Sequence, residues 1–491
     1  MTNKKYKIIS AIVIIITIIG YEGCTLRKKV MYKISTHLPE HNLNAAQIAE
    51  DLDYLVSMNE KINPYPYLFC NKQEIDSTVK VIKKINSLPP IEFYKKIRLL
   101  TSLYNVPHFE AEFPEDTYDA YKENKGKLFS HKIMLKNNIP EIVSLSTCEK
   151  NKEIEKGDQI VSINGISSQD LITKFRTYYA GLTAWKNSCI EAKFTKLLWL
   201  EGIHSPFALQ IVNSKKETKT IIDEGCNGST INTTAESTGI SEMIAYEQIN
   251  DSVSYINFKS MAPVVTAEKF KEELDKLFQQ IKMKNSKLLF IDISENSGGS
   301  ERYGNIMIKY FNDKKMVDHT STQWWVSQEA KDSYRNMIPW YARWVVFKFF
   351  LPIEDYLKST NNTFMKYSDS CTNDTIYPGI NENRYMGKTY LITGGHTFSA
   401  AMLLADKVRF NNLAIVLGNN TGENTNDLSE MVWIRLPNSG IVCSMPTALF
   451  IGCNGNKDQI SPVIPHIKID LDNMYFSNKR EKINFLLTQI K

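Results

Sequence analysis

Apolar residues recur at helical spacing in two early segments. In AAQIAEDLDYLVSMNEKI, Ile48, Leu52, Leu55 and Val56 share one face, and in KQEIDSTVKVIKKI the same face is made by Ile75, Val79, Ile82 and Ile85. Pro64, Pro66, Pro89 and Pro90 interrupt the run, so residues 40–110 are expected to form a module of separate helices. Between 127 and 225 the pattern turns to strand-like alternation. Its clearest piece runs from Glu155 to Gly165, where a Gly157-Asp158 turn feeds a strand over Gln159 to Ile163 and Asn164-Gly165 makes the tight turn after it.

From 240 to 475 strands alternate with helices. Val253 to Phe258 reads as a strand, and Thr266 can cap a helix whose apolar face is Phe270, Leu274, Leu277, Phe278 and Ile281. Lys287 to Ile293 reads as a buried strand, with further strands over Lys388 to Thr393, Leu413 to Leu417 and Met431 to Leu436. That order predicts an α/β core. An insertion at 311–385 is rich in Trp and Tyr and includes WYARWVVFKFFL from Trp340 to Leu351. Its composition fits helical packing or a lid over the core; a substrate or membrane contact is the alternative.

At 491 residues, with 43% hydrophobic and 23% charged, the chain is globular and long enough for about two to four domains. A net charge of +5 over this length gives no reason to expect a nucleic-acid partner. The eight cysteines show no Cys-x-x-Cys and no Cys/His cluster, so neither a metal site nor a disulfide scaffold is expected. The amino terminus changes the picture more. Lys4, Lys5 and Lys7 precede the apolar run Ile8 to Gly20, too short for a membrane span of about 20 residues but suited to a secretory signal over residues 1–24. Gly23-Cys24 resembles a lipoprotein cleavage site, with Cys24 the residue that takes the lipid, although Tyr21 and Glu22 depart from that pattern. Arg27, Lys28 and Lys29 suit an uncleaved anchor instead. Either route leads to export and to a place in the cell envelope, held to the membrane by an anchor or a lipid.

Two stretches have the form of chemical sites. Tyr390 to Thr393 is a buried strand running into Gly394-Gly395-His396-Thr397-Phe398-Ser399, after which a helix begins. A serine on such a turn faces the free N–H groups of the first helical turn, the arrangement of a nucleophile beside an oxyanion hole. The plainer role for Ser399 is that of a helix cap. The second stretch, Asp292 to Ser300, ends its strand in Gly298-Gly299, whose backbone can approach a ligand closely. It matches no phosphate-binding or dinucleotide pattern.

In order, these pieces resemble the C-terminal-processing (tail-specific) and tricorn-core serine peptidase family. The resemblance rests on Asp53-Tyr54-Leu55 with Asn63-Pro64-Tyr65, on Gly157 to Gly165, on Gly298-Gly299, on Thr397-Phe398-Ser399-Ala400-Ala401, and on Pro437-Asn438-Ser439-Gly440 leading to Pro446-Thr447. It implies an α+β multidomain protein with an N-terminal helical module, a PDZ-like β-rich module and an α/β catalytic core of the ClpP/crotonase-like kind. It also implies a serine endopeptidase acting on polypeptides without metal or cofactor, with Ser399 as nucleophile and the amides of Ala400 and of Gly298 or Gly299 as oxyanion donors. In the lysine-dependent branch the base follows a Gly-x-x-Thr-x-Gly stretch, but after Gly418 to Gly422 this chain has Glu423-Asn424, with Asn424 where the lysine belongs. The tricorn-like branch uses a histidine after the helical module, and His108 stands at that place without the usual neighbours; His396 is the runner-up. For the acid that orients the histidine, Gln459 stands at the expected position, so Asp458 beside it is the candidate, and Glu423 is the alternative. The 127–225 module implies capture of a chain end as an added strand, yet Leu145 to Asn151 lacks a clear carboxylate loop. The competing expectation is a catalytically impaired member that binds peptides or envelope proteins, because Val106, Pro107, Phe109, Asn424 and Gln459 all depart from the pattern.

Overall fold

The computed structural model describes residues 36–146, 153–228, 239–318, 321–336, 354–365, 375–376, 379 and 381–490. The signal segment with Cys24, most of the Leu145 to Asn151 loop and the aromatic run from Trp340 to Leu351 lie outside the described residues. Among the described residues no helix is long and apolar enough to cross a membrane.

Four helices come first: α1 (Ala45–Ile62), α2 (Lys72–Ile82), α3 (Pro90–Leu103) and α4 (Glu115–Glu123). Asn44 and Gln47 close a reciprocal capping box on α1, and Pro90 opens α3, where its missing N–H costs nothing. Ile48, Leu52, Leu55, Ile75, Val79 and Ile82 are all buried, as their spacing predicts. The buried Asp51 ties α1 to the far end of the chain, accepting the backbone N–H groups of Asn438 and Ser439.

A six-stranded antiparallel sheet follows, in which β1 (Lys132–Lys136), β2 (Ile139–Ser144), β3 (Gln159–Ile163), β4 (Phe207–Val212) and β5 (Thr218–Asp223) pair in sequence order and the short strand Ile166–Ser167 pairs with β3 off that path. Two helices lie between β3 and β4, α5 (Ser168–Arg176) and α6 (Thr183–Leu200). Cys226 is disulfide-bonded, whereas Cys70, Cys189, Cys443 and Cys453 are free thiols.

The remaining elements build a largely parallel sheet. Its strands are β6 (Ile244–Asn250), β7 (Val253–Phe258), β8 (Leu288–Asp292), β10 (Lys388–Thr393), β11 (Ile415–Gly418) and β14 (Ile467–Lys468), side by side in that order, with only the β6–β7 pair antiparallel. Helices α7 (Ala267–Met283), α8 (Glu301–Ile308) and α9 (Ala400–Phe410) supply one apolar layer, and α10 (Lys479–Gln489) packs with Tyr255, Phe290 and Tyr390 on the other face. Coverage on both faces is why every residue of β7 is buried and why these strands read as unbroken apolar runs. Thr266 caps α7 through its side chain, and the five apolar residues of that helix are buried. An antiparallel sheet of β9 (Ser321–Val326), β13 (Val442–Ile451) and β12 (Asp427–Arg435) stands beside this core. β8 and β10 are parallel neighbours in register, Asp292 opposite Ile392, so the loops leaving their carboxyl ends lie side by side.

Candidate active site

Ser399 sits where the loop after β10 enters α9, at φ 54° and ψ −128°. A residue with a Cβ adopts that conformation only when its surroundings over-determine it, and such strain gathers at reactive positions. The surroundings are visible. Thr397 Oγ1 donates to Ile293 O and accepts the Gly394 N–H, Phe398 N–H donates to Asn296 O, and Gly395 N–H donates to the Asp472 carboxyl. Burial pushes Asp472 up to about 6. The Ser399 side chain makes no capping hydrogen bond, so the helix-cap role is not the one it plays here.

The two glycines from the neighbouring loop press against this turn. A Cβ added to Gly298 (φ +94°) would lie 2.7 Å from Phe398 O, 2.8 Å from Ser399 Cβ and 2.9 Å from Ala400 N. One added to Gly299 (φ +134°) would meet the Met261 backbone at 2.2–2.3 Å. Only glycine fits either place. The Gly298 N–H is already given to Asn296 Oδ1 at 2.8 Å. No hydrogen bond among the described residues engages the N–H of Gly299 or of Ala400, which leaves those two amides free near Ser399. Gly298 contributes through its lack of a side chain.

His108 comes to the same place from the loop after α3. It is buried, its ring centroid lies 4.9 Å from that of Phe398, and its Nε2 is 2.9 Å from Glu423 Oε1. The other oxygen, Glu423 Oε2, accepts the Ser399 N–H at 2.5 Å. One carboxyl group therefore touches both the serine residue and the histidine. Glu423 follows β11 by five residues, and its loop is pinned to the serine turn by the Gly422 N–H donated to Thr397 O at 2.9 Å. Burial is the largest single influence on His108 and would lower its pKa, but Glu423 facing the ring, together with the charges of Asp427 and Glu110, outweighs it and holds the imidazole above its ordinary value. The Nε2–Oε1 contact is close without hydrogen-bond alignment, and Nδ1 lies 3.3 Å from Met431 Sδ. No hydrogen bond joins the Ser399 hydroxyl to the ring in this conformation.

His396 is engaged elsewhere: its Nε2 donates to Ser188 O at 3.0 Å, its ring meets Trp185 edge-on, and burial lowers its pKa. Trp185 stacks on Phe398 with centroids 3.8 Å apart, so α6 braces the serine turn. Asp458 is exposed, and its backbone N–H bonds to Asn456 Oδ1; it is Glu423, not Asp458, that the fold places against His108. The reason is topological, since Glu423 lies just past the end of β11, the strand next to β10, whereas Asp458 lies in a loop beyond β13. Asp427, a buried carboxyl at the start of β12, had no signal in the sequence, lying four residues before the strand expected from Met431. Among the described residues no group of three or more His, Cys, Asp or Glu has the form of a metal site.

Residues 252–469 match the family model of peptidase family S41. The fold is similar to that of mature CPAF (14% identity, TM-score 0.61, 91% of this chain and 97% of that one) and of a serine-to-alanine mutant of CPAF (13%, 0.62, 91% and 98%). It is equally similar to CPAF complexed with lactacystin (14%, 0.61, 91% and 98%). No curated protein matches the chain.

Proposed function

The chain belongs to peptidase family S41, matched over residues 252–469, and is a serine-type peptidase; on that premise we propose that Ser399, His108 and Glu423 are its working groups. The observation that carries this reading is the single Glu423 carboxyl in contact with both the Ser399 N–H and the His108 ring. In the proposed mechanism Ser399 Oγ attacks the carbonyl carbon of a peptide bond while His108 takes the hydroxyl proton and then gives it to the leaving amine. Glu423 stabilises the imidazolium formed between those steps. The free amides of Ala400 and Gly299 receive the charge that develops on the carbonyl oxygen. His108 must turn toward the hydroxyl for the first step, as catalytic hydrogen bonds commonly tighten only once substrate is present. Replacement Ser399→Ala is expected to abolish cleavage of an unfolded polypeptide; cleavage at the wild-type rate would remove the proposal.

The segment Lys4 to Cys24 has the form of an export signal, and a disulfide at Cys226 suits an oxidising compartment. We place the enzyme in the cell envelope, held by Cys24 lipidation or by an uncleaved anchor. Radiolabelled palmitate incorporated in the wild type and lost in Cys24→Ser would establish the lipid, whereas a retained amino terminus would establish the anchor. The β-rich module at 127–225 is proposed to hold the substrate chain PDZ-fashion, as an added strand. A second reading, a member that binds polypeptides without cutting them, draws on the absence of a Ser399–His108 hydrogen bond. A fluorophosphonate that labels Ser399 excludes it.

A further inference from the structure

Glu423 and Asp427 line one cavity of about 80 Å³, large enough to hold water, with Phe69, Asn105, Leu182 and Ile460 among its walls. Asp427 is 4% exposed, and the only hydrogen bond its carboxyl makes among the described residues is one accepted by Oδ1 from the Leu428 N–H, at 2.7 Å. No Lys or Arg pairs with it there. The titratable groups that face it are Glu423, from the loop preceding β12, and His108, from the loop after α3, with Glu110 acting on the same histidine. Two carboxyls thus share a desolvated space with one imidazole, so at most one of their charges has a partner. Burial first, and the Glu423 charge second, push Asp427 well above the ordinary carboxyl range. Glu423 Oε1, meanwhile, is buried without a hydrogen bond. Two buried carboxyls that are short of hydrogen bonds thus face one cavity, with His108 Nε2 2.9 Å from Glu423 Oε1.

We propose that Asp427 is a positioning residue for Glu423, sharing one proton with it across the cavity and so keeping the Glu423 carboxyl on His108 and on the Ser399 N–H. The proposal rests on the Ser399–His108–Glu423 reading. As pH rises and Asp427 loses its proton, two like charges confined together repel, Glu423 is displaced, and activity falls. A carboxyl with a raised pKa stabilises the fold below its ordinary value, and that contribution is lost as pH rises through the raised one. Asp427→Asn should therefore gain stability over the wild type at alkaline pH, but a merely structural acid would do the same. The activity profile makes the distinction.

The test is kcat/KM of the full-length protein on a quenched fluorescent casein from pH 5 to 10, for wild type, Asp427→Asn and the smaller neutral donor Asp427→Ser. The wild type should fall on the alkaline side. Both variants should be roughly tenfold slower at pH 7, since a neutral donor replaces a carboxyl proton, and should lack that alkaline fall. If Asp427→Asn does not fold, Asp427→Ser decides. An alkaline fall unchanged in the folded variants, a wild type without one, or a folded variant inactive at every pH would overturn the proposal. Failure of a fluorophosphonate to label wild-type Ser399 would instead overturn the reading beneath it.

Discussion

Replacing Gly298 with alanine adds one carbon at the point where two loops meet beneath the nucleophile. Three atoms would lie within 2.7–2.9 Å of it: Phe398 O, Ser399 Cβ and Ala400 N. All belong to the serine turn, two are backbone, and none is the tip of a flexible side chain, so the turn itself must move. Holding alanine at φ +94° costs about 1–2 kcal/mol, and overpacking adds roughly 1–3 kcal/mol. The sum, about 2–5 kcal/mol, lies at or below the usual 5–15 kcal/mol of a native protein, so a folded population should remain to be assayed. Its activity should suffer more than its stability. Moving Ser399 and the Ala400 amide by a few tenths of an ångström or more spoils the geometry of attack and of charge stabilisation together, each worth about 10²-fold. Gly202 is the control: its φ is +72°, but an added Cβ meets nothing within 4 Å, so Gly202→Ala should lose about 1 kcal/mol and keep its rate. Urea unfolding and kcat/KM on labelled casein measure the two quantities separately. A Gly298→Ala protein that cleaves at the wild-type rate would refute the packing argument.

Two further outcomes follow from the buried charges. Because Glu423 holds the imidazolium of His108, the neutral base forms only above the ordinary histidine value of about 6.5, and the acid limb of kcat/KM should lie above it. The stability from this pair is complete below about 6.5 and is lost as pH rises through the raised value. Glu423→Gln should move the acid limb down and cost about 10²- to 10⁴-fold in kcat, read from a pH–rate series. At the end of β8, Asp292 is buried, and Lys482, which donates to it at 2.8 Å from α10, helps to hold its pKa down to about 2 against the opposing effect of burial. That stability is present above the ordinary carboxyl value of about 3.9 and is lost as pH falls through about 2. Lys482→Met should cost about 3–5 kcal/mol at pH 7 in chemical denaturation, by leaving a buried carboxylate unpaired.

Much of the core could be read from periodicity because burial on both faces makes it local. The Thr266 cap and its helix, and the strands Val253–Phe258 and Lys388–Thr393, appear as their patterns predict. Strand ends were less legible: β12 begins at Asp427, four residues before its apolar stretch, because a residue at positive φ, Glu430, interrupts the alternation. The acid beside His108 was harder still. Its place depends on a loop meeting a loop, through Gly422 N–H on Thr397 O, and such contacts leave no period in the chain. The glycines were visible as a pair, but only the fold separates Gly298, whose N–H is spent on Asn296, from Gly299, whose N–H is free.

The proposed chemistry turns on Ser399 as a nucleophile whose reactivity depends on His108. It is tested most directly by the rate of fluorophosphonate labelling, with the modified residue mapped by mass spectrometry, in the wild type and in a folded His108→Gln variant. Modification at Ser399 is expected in the wild type, with labelling slower by about 10³-fold or more in the variant. Labelling of Ser399 at equal rates in both, or none in the wild type, would contradict it.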